Sequence, residues 1–217
     1  DFTLNARRLI VDGQLSIILR RLRLDGGAIV DNNGTLSFST SPAGQARMGC
    51  LTGPGCGTLN NNGLITASSN TLVSVLEEGI NYFGSGAITS TSGRMVVHAS
   101  GSFDGTYTAT GVRELEFSRQ PRLFTPSAVF TAGSNFIFGD TSGTLPVNQI
   151  QGCLAPGSNA SIFDSRLQLE CGGPTSFAQL RMERGFSGII GPSPVVVTAP
   201  FEWGAGSLLG SAGTETF

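Results

Sequence analysis

The sequence contains no lysine and little charge of either sign. All 13 basic residues are arginines, charged residues make up 13% of the 217 positions, and the formal net charge is −2. Nucleic-acid binding draws most of its strength from a basic surface, which this composition does not supply. The one basic cluster comprises Arg20, Arg21 and Arg23, and it alternates with leucine as the solvated face of a strand would. We therefore expect no nucleic-acid partner.

Long hydrophobic runs are also missing. No run approaches the ~20 apolar residues that cross a bilayer, and neither an initiator Met nor a signal peptide precedes Asp1. The chain starts and stops inside sequence patterns, with DFTLNARRLIVDGQ at one end and GTETF at the other. We expect residues 1–217 to be a single segment of a longer chain, without a membrane span in this segment.

Helical periodicity is absent, and short alternating runs replace it. Strands of about four to six residues with one apolar face are typical of this pattern. Glycines precede several of these runs at intervals of 22 to 29 residues, at Gly34, Gly63, Gly86, Gly111 and Gly133. Such loose repetition is typical of solenoid coils. We predict an all-β fold, a right-handed parallel β-helix (β-solenoid); the alternative is an antiparallel β-sandwich.

The alternation also predicts which side chains face the core. Residues at every second position of a strand share a face, so the apolar members of each run should be buried together. The expected core residues are Leu36, Phe38, Leu115, Phe117, Leu167, Leu169 and Phe201. Trp203 alternates with Phe201, so we expect it to be buried with Phe201 in preference to forming an exposed platform for sugars.

The sequence has four cysteines and no C-x-x-C pair. We predict one disulfide between Cys50 and Cys56, which bracket the turn-forming LTGPG, and a second between Cys153 and Cys171. The alternative is free buried thiols. Disulfides indicate an oxidising compartment, so we expect an extracellular or cell-surface location. Possible N-glycosylation sites at Asn33 and Asn159 agree with it.

Two pairs of carboxylates are candidates for a catalytic or metal site. Glu114 and Glu116 share one face of a strand, ~7 Å apart, with Arg113 beside them. A metal or glycosidase-like site is geometrically possible there, but we favour a solvated strand face. Glu77 and Glu78 are interpreted in the same way, as an outward turn.

The remaining candidates for chemistry are isolated. The only histidine, His98, is expected to be an exposed strand residue, since no partners for metal binding or for a Ser-His-Asp arrangement accompany it. Asp104 and Asp140 lie in single turn-like fragments and not in the tandem repeats that bind Ca²⁺. We expect no catalytic residue, no cofactor and no metal.

The stretch FEWGAGSLLGSAGT resembles a unit of large extracellular, Gly/Ser/Thr-rich β-helical surface proteins of the adhesin, stalk or filament type. In these proteins a Phe-x-Trp strand is followed by glycine, an aliphatic strand and a Gly-Thr step. The matching residues are Phe201, Trp203, Gly206, Leu208, Gly210, Gly213 and Thr214. NNGTLSF and NNGLITA, within residues 26–117, resemble the same class.

This resemblance implies a non-enzymatic extracellular structural protein, a filament or surface-fibre subunit. Its strand edges near Asp1–Asn5 and near Gly213–Phe217 would pair with other copies or with adjoining segments of a longer chain. Surface glycans are a further candidate partner. The alternative function is a carbohydrate-active β-helix enzyme of the polysaccharide-lyase type or a glycan-binding adhesin module.

Overall fold

The computed structural model describes most of the chain. It covers residues 1–18, 21–39, 45–50, 56–110, 114–139, 146–199, 201–205 and 207–210, with the backbone alone at 68–73 and 207–210. Within these ranges every regular element is a strand, and there is no helix. The all-β prediction is therefore confirmed.

The strands follow one another at short intervals, as the frequent glycine-containing turns predict. Their bounds are β1 Phe2–Asn5, β2 Arg8–Val11, β3 Gln14–Ile18, β4 Arg21–Asp25, β5 Ala28–Asn32, β6 Thr35–Ser39, β7 Arg47–Cys50, β8 Gly57–Asn61, β9 Leu64–Leu76, β10 Ile80–Gly84, β11 Ala87–Val97, β12 Ser100–Phe103, β13 Thr106–Ala109, β14 Glu114–Phe117, β15 Arg122–Phe124, β16 Val129–Phe130, β17 Asn135–Phe138, β18 Val147–Ile150, β19 Ser158–Phe163, β20 Arg166–Leu169, β21 Thr175–Glu183, β22 Gly188–Gly191, β23 Val195–Val197, β24 Phe201–Trp203 and β25 Ser207–Gly210.

The strands form two sheets, and every pairing between described strands is parallel. The first sheet has ten strands, in the order β2-β5-β8-β10-β12-β15-β18-β20-β22-β25. The second has fifteen strands, because most coils contribute two strands or one long strand to it. Each strand pairs with its counterpart one coil later, which is the arrangement of a parallel β-solenoid. The antiparallel sandwich is excluded.

The core confirms most of the predicted inward face. Leu36, Phe38, Leu115, Phe117 and Leu167 are fully buried, and Leu169 is nearly so. In parallel in-register strands, paired residues point to the same side of the sheet, so each inward position forms a column through the coils. The alternation of inward and outward residues in one strand is therefore repeated in the paired strands of the other coils.

Aromatic side chains fill the middle of the solenoid. Tyr82 stacks on Phe103 with 4.2 Å between ring centroids, and Phe117 lies edge-on to Phe124 at 4.9 Å. Tyr107 packs edge-on to both Phe117 and Phe124. Aromatic pairs at these separations contribute ~0.5–1.5 kcal/mol each beyond the area that they bury.

Phe201 and Trp203 are exceptions to the predicted burial. Their register with Leu180 and Met182 continues two inward columns, so the predicted face is right. Their exposures of 37% and 44% nevertheless contradict the prediction that they are buried. An inward side chain in a solenoid is covered by the coils on both sides of it, and β24 is the last strand of its column among the described residues.

A column of glycines marks one corner of the solenoid. A Cβ added at Gly34 would lie 2.0 Å from the carbonyl oxygen of Gly13, and one at Gly63 would lie 2.1 Å from that of Gly34. A Cβ added at Gly86 or Gly105 would likewise collide with the carbonyl oxygen of the column glycine one coil earlier. The backbone of adjacent coils approaches too closely at this corner for any side chain.

The predicted glycine spacing was only partly right. The column contains Gly13 and Gly105, which the spacing did not include, because the number of residues in a coil varies. Gly133 lies instead in a turn with φ +72°, and Gly111 lies outside the described residues.

Both disulfides join the predicted partners. Cys50 is bonded to Cys56 across a Cα–Cα distance of 5.9 Å, and Cys153 to Cys171 across 5.0 Å. The first links the end of β7 to the start of β8, and the second lies beside the coils that contain β18 to β21. Each therefore closes a loop between neighbouring parts of the solenoid.

Candidate functional site

A groove runs along the outward face of the fifteen-stranded sheet. Its volume is about 820 Å³, and it crosses strands β4, β7, β9, β11, β14, β17 and β19 of successive coils. Since strands in a sheet are ~4.8 Å apart, six steps give a length of ~29 Å parallel to the solenoid axis. The groove is thus much longer than a single small molecule.

The floor of the groove is largely apolar. Val75, Val96 and Ile137 are buried, although they alternate with core residues and point away from the interior. The parallel register places them in one outward column, with Glu116 between Val96 and Ile137. This floor exists because equivalent positions of separate coils are stacked by the pairing of their strands.

At one end of the groove, Glu77 is held between two arginines. Its Oε1 lies 2.5 Å from Nη2 of Arg21 and 3.1 Å from Nη1 of Arg47. The carboxylate lies over Gly49, where an added Cβ would be 1.8 Å from Oε2. Gly49 therefore provides the space in which this ion pair forms, and the charged group is fixed against the sheet.

In the middle of the groove, Arg94 bridges the two carboxylates that the sequence analysis considered together. Its Nε lies 3.5 Å from Glu114, and its Nη2 contacts Glu116. Glu114 is the strand partner of Arg94 in the next coil. The prediction of a solvated face is right for Glu114 but wrong for Glu116, which is 4% exposed because it lies on the floor. Arg113 lies outside the described residues.

The charges of the groove balance. Among the described residues, four arginines and four glutamates line it, and each glutamate is paired with one of those arginines; the remaining pair is Glu78 with Arg119, at 3.5 Å. Within the described part of the chain, no group of three His, Cys, Asp or Glu residues could hold a metal ion. The described part of the walls therefore presents ion-paired hydrogen-bonding groups whose charges cancel.

His98 lies directly after β11 and lines the groove. It is half-buried and lies beyond the end of the strand, so its prediction as an exposed strand residue is wrong. Backbone hydrogen bonds place Glu77, His98 and Ser118 at one position of three successive coils. The Ser118 hydroxyl is buried and makes no hydrogen bond to any described group, whereas a nucleophilic serine must contact its base. No described group is therefore positioned as a hydrogen-bonded base for this hydroxyl.

The predicted glycosylation sites differ in their surroundings. Asn33 is exposed, and its amide donates a hydrogen bond of 2.9 Å to Asp12. Asn159 lies within β19, is half-buried and donates 2.8 Å to Asn135. Asp104 lies in the short connection between β12 and β13, and Asp140 is outside the described residues. Asn33 is the more accessible acceptor.

The sequence pattern did not identify the groove residues Arg47, Gly49 and Arg94. Each lies in a short run with no recognisable motif, and its partner lies 20 to 30 residues away in the sequence. Opposite charges at matching positions of successive coils, such as Arg94 and Glu114, could have indicated them once the register was known.

The architecture defines a parallel β-solenoid with an outward groove across its coils. Comparison with protein-family models, with curated proteins and with solved structures gave no match. In the residues that the structure describes, no helix is long and apolar enough to cross a membrane.

Proposed function

We propose that this protein is an extracellular structural β-solenoid, a subunit of a filament or surface fibre whose terminal coils stack on further coils. One observation carries the proposal: Phe2 and Trp203 lie at opposite ends of the same core column. The column runs through Phe2, Leu22, Met48, Leu76, Val97, Phe117, Phe138, Ile162, Met182 and Trp203.

The first coil supports this proposal through its exposed apolar surface. Phe2 is 62% exposed, whereas the residues that follow it in the column, from Leu22 to Met182, are buried. A hollow of about 600 Å³ beside it is lined by Leu9, Leu15 and Ile17 among others. Among the described strands, β1, β2 and β3 each pair on one side only. Unpaired edges next to an apolar surface favour association with another strand layer.

The complementary surface lies on the opposite coil. Phe201 and Trp203 contact each other, with 5.7 Å between ring centroids, and both are exposed. A coil from another copy, stacked in parallel register, would place its Phe2 against this pair. Such a contact joins different surfaces of the two copies, so it propagates along one axis.

The extracellular part of the proposal is supported by the two disulfides. Disulfides persist in oxidising compartments and are rare in the cytosol. The absence of lysine and the low charge leave a surface of small polar residues, which suits a protein that is exposed to the medium and associates with like surfaces.

Sedimentation velocity over a wide range of concentrations tests the stacking. We expect the wild-type chain to form species that grow with concentration, and Phe2→Ser or Trp203→Ser to remain monomeric. The matched control is Phe186→Ser, because Phe186 is 67% exposed in a turn outside the core columns. A wild-type chain that stays monomeric, or association that Phe186→Ser abolishes equally, would contradict the proposal.

A further inference from the structure

We propose that the groove binds an uncharged linear polysaccharide, laid along the solenoid axis across successive coils. This inference does not depend on end-to-end stacking, because the floor residues and the carboxylates that it uses lie on β9 to β17 or directly beside those strands.

The shape of the groove favours a chain-like ligand. The groove extends ~29 Å over seven coils, and its lining contains apolar floor residues on three of these coils and ion pairs between neighbouring coils. A polymer with a repeating unit can make comparable contacts at successive coils, whereas a compact molecule would occupy only a part of the groove.

The chemistry of the lining matches sugar rings. Val75, Val96 and Ile137 line the floor, and the C–H faces of the rings can contact the small apolar surface that these largely buried side chains leave accessible. The carboxylates of Glu77 and Glu114 accept hydrogen bonds, and guanidinium groups donate them; ion pairing holds both kinds of group in position. Groups that are already ordered lose less conformational entropy when a ligand binds.

The balance of charge argues against a polyanion. Binding of a uronate or sulfate polymer would need cations that are not neutralised by the protein, and each groove glutamate is paired with a groove arginine. Calcium bridging is not supported either, since the described residues offer no cluster of ligands. An uncharged, hydroxyl-rich polymer requires neither unpaired cations nor bound calcium.

An extended peptide is a weaker candidate for a geometric reason. Peptides that bind to sheets add a strand at an edge, where free N–H and C=O groups are available. The floor of the groove is the face of a sheet, and its strands β9, β11, β14 and β17 pair on both sides. The backbone of a bound peptide would therefore find no unpaired N–H and C=O groups on these strands with which to form β-sheet hydrogen bonds.

Affinity electrophoresis tests the proposal directly. The full chain is run through gels that contain mannan, xylan, a β-glucan or galactan, beside gels with polygalacturonate or alginate and a solution assay with unstructured peptides. We expect retardation by at least one neutral polymer, with little dependence on salt, since salt screens charge interactions. Soluble oligomers of that polymer should bind more tightly with length until they reach ~29 Å.

Variants of the floor and of a distant strand localise the binding. Val96→Arg fills the groove with a charged side chain on the outward face, and we expect affinity to fall about tenfold or more. Val196→Arg makes the same change at an exposed position of β23 outside the groove and should leave affinity unchanged. Circular dichroism establishes that both variants are folded, and Glu114→Gln provides a second, milder groove variant on a half-exposed side chain.

Several outcomes would overturn the proposal. These are no retardation by any neutral polymer, retention by the polyanions or the peptides alone, or unchanged binding in folded Val96→Arg and Glu114→Gln. Loss of binding in Trp203→Ser alone would also contradict it, because that result would assign the sugar contact to the exposed tryptophan and not to the groove.

Discussion

The side-chain amide of Asn32 donates a hydrogen bond of 2.7 Å to the amide oxygen of Asn61, the residue paired with it in the next coil. Asn61 in turn donates 3.0 Å to the hydroxyl of Tyr82, one coil further. Both asparagines are fully buried, and their amides also donate to the carbonyl oxygens of Leu64 and Ala87. Stacked polar groups thus satisfy one another inside an apolar core, except for Oδ1 of Asn32, which accepts no hydrogen bond from any described group.

Replacing Asn61 by alanine should destabilise the protein by about 1–3 kcal/mol, because hydrogen bonds of two buried neighbours are lost. The matched control is Asn62→Ala: Asn62 is exposed, and its amide donates a long hydrogen bond of 3.4 Å to Asn33. We expect the control to change the free energy of unfolding by no more than about 0.5 kcal/mol. Urea unfolding measures both, and equal losses would show that the buried ladder has no special importance.

The glycine column gives a second prediction of stability. Gly63→Ala would bring a Cβ to 2.1 Å from the backbone of Gly34, so adjacent coils would have to separate. We expect a loss of about 1–3 kcal/mol or more, the usual cost of overpacking. Gly13→Ala is the control, because no described atom lies within 4 Å of the added carbon. Thermal unfolding should show a lower Tm for Gly63→Ala only; similar Tm values for both variants would contradict the described packing.

The fold class could be predicted from the alternation of apolar residues, because this alternation is visible within the sequence of each single strand. Leu36 and Phe38 could be assigned to the core from their own strand. Phe201 could not, since its exposure depends on whether another coil covers it. Gly105 was missed for a related reason: the coils vary in length, so constant spacing does not identify stacked positions.

The groove could not be predicted in the same way. Arg21, Arg47 and Glu77 are 26 and 30 residues apart in the chain and meet only through the register of three coils. The sequence did indicate that Glu114 and Glu116 share a face, but not that Arg94 bridges them. Pairing between coils is set by the whole stack of inward columns, and a local pattern carries little information about it.

The two tyrosines provide a test of the core by pH. They are the only tyrosines of the chain, and burial raises the pKa of both Tyr82 and Tyr107 far above the usual value of about 10. In the native protein we expect no phenolate absorbance as the pH rises through 10 to 11. Absorbance that develops with a pKa near 10 in the folded chain would show that these side chains reach solvent.

The raised pKa values of the two tyrosines also make the stability of the protein depend on pH. A pKa that is raised in the folded state means that the unfolded chain releases the tyrosine protons first. The stabilising effect is therefore complete below about pH 10 and is lost as the pH rises above that value. Denaturant unfolding at pH 8 and pH 11 should show a smaller free energy of unfolding at pH 11, and a reduced difference in Tyr82→Phe. An unchanged difference would assign the pH dependence to other groups.

Electron cryomicroscopy of the concentrated wild-type chain tests the central claim most directly. Stacking of terminal coils predicts rods in which the strand spacing of ~4.8 Å continues across each junction, with Phe2 of one copy packed against Trp203 of the next. Isolated particles at every concentration, or copies associated side by side with these two residues still exposed to solvent, would contradict the account.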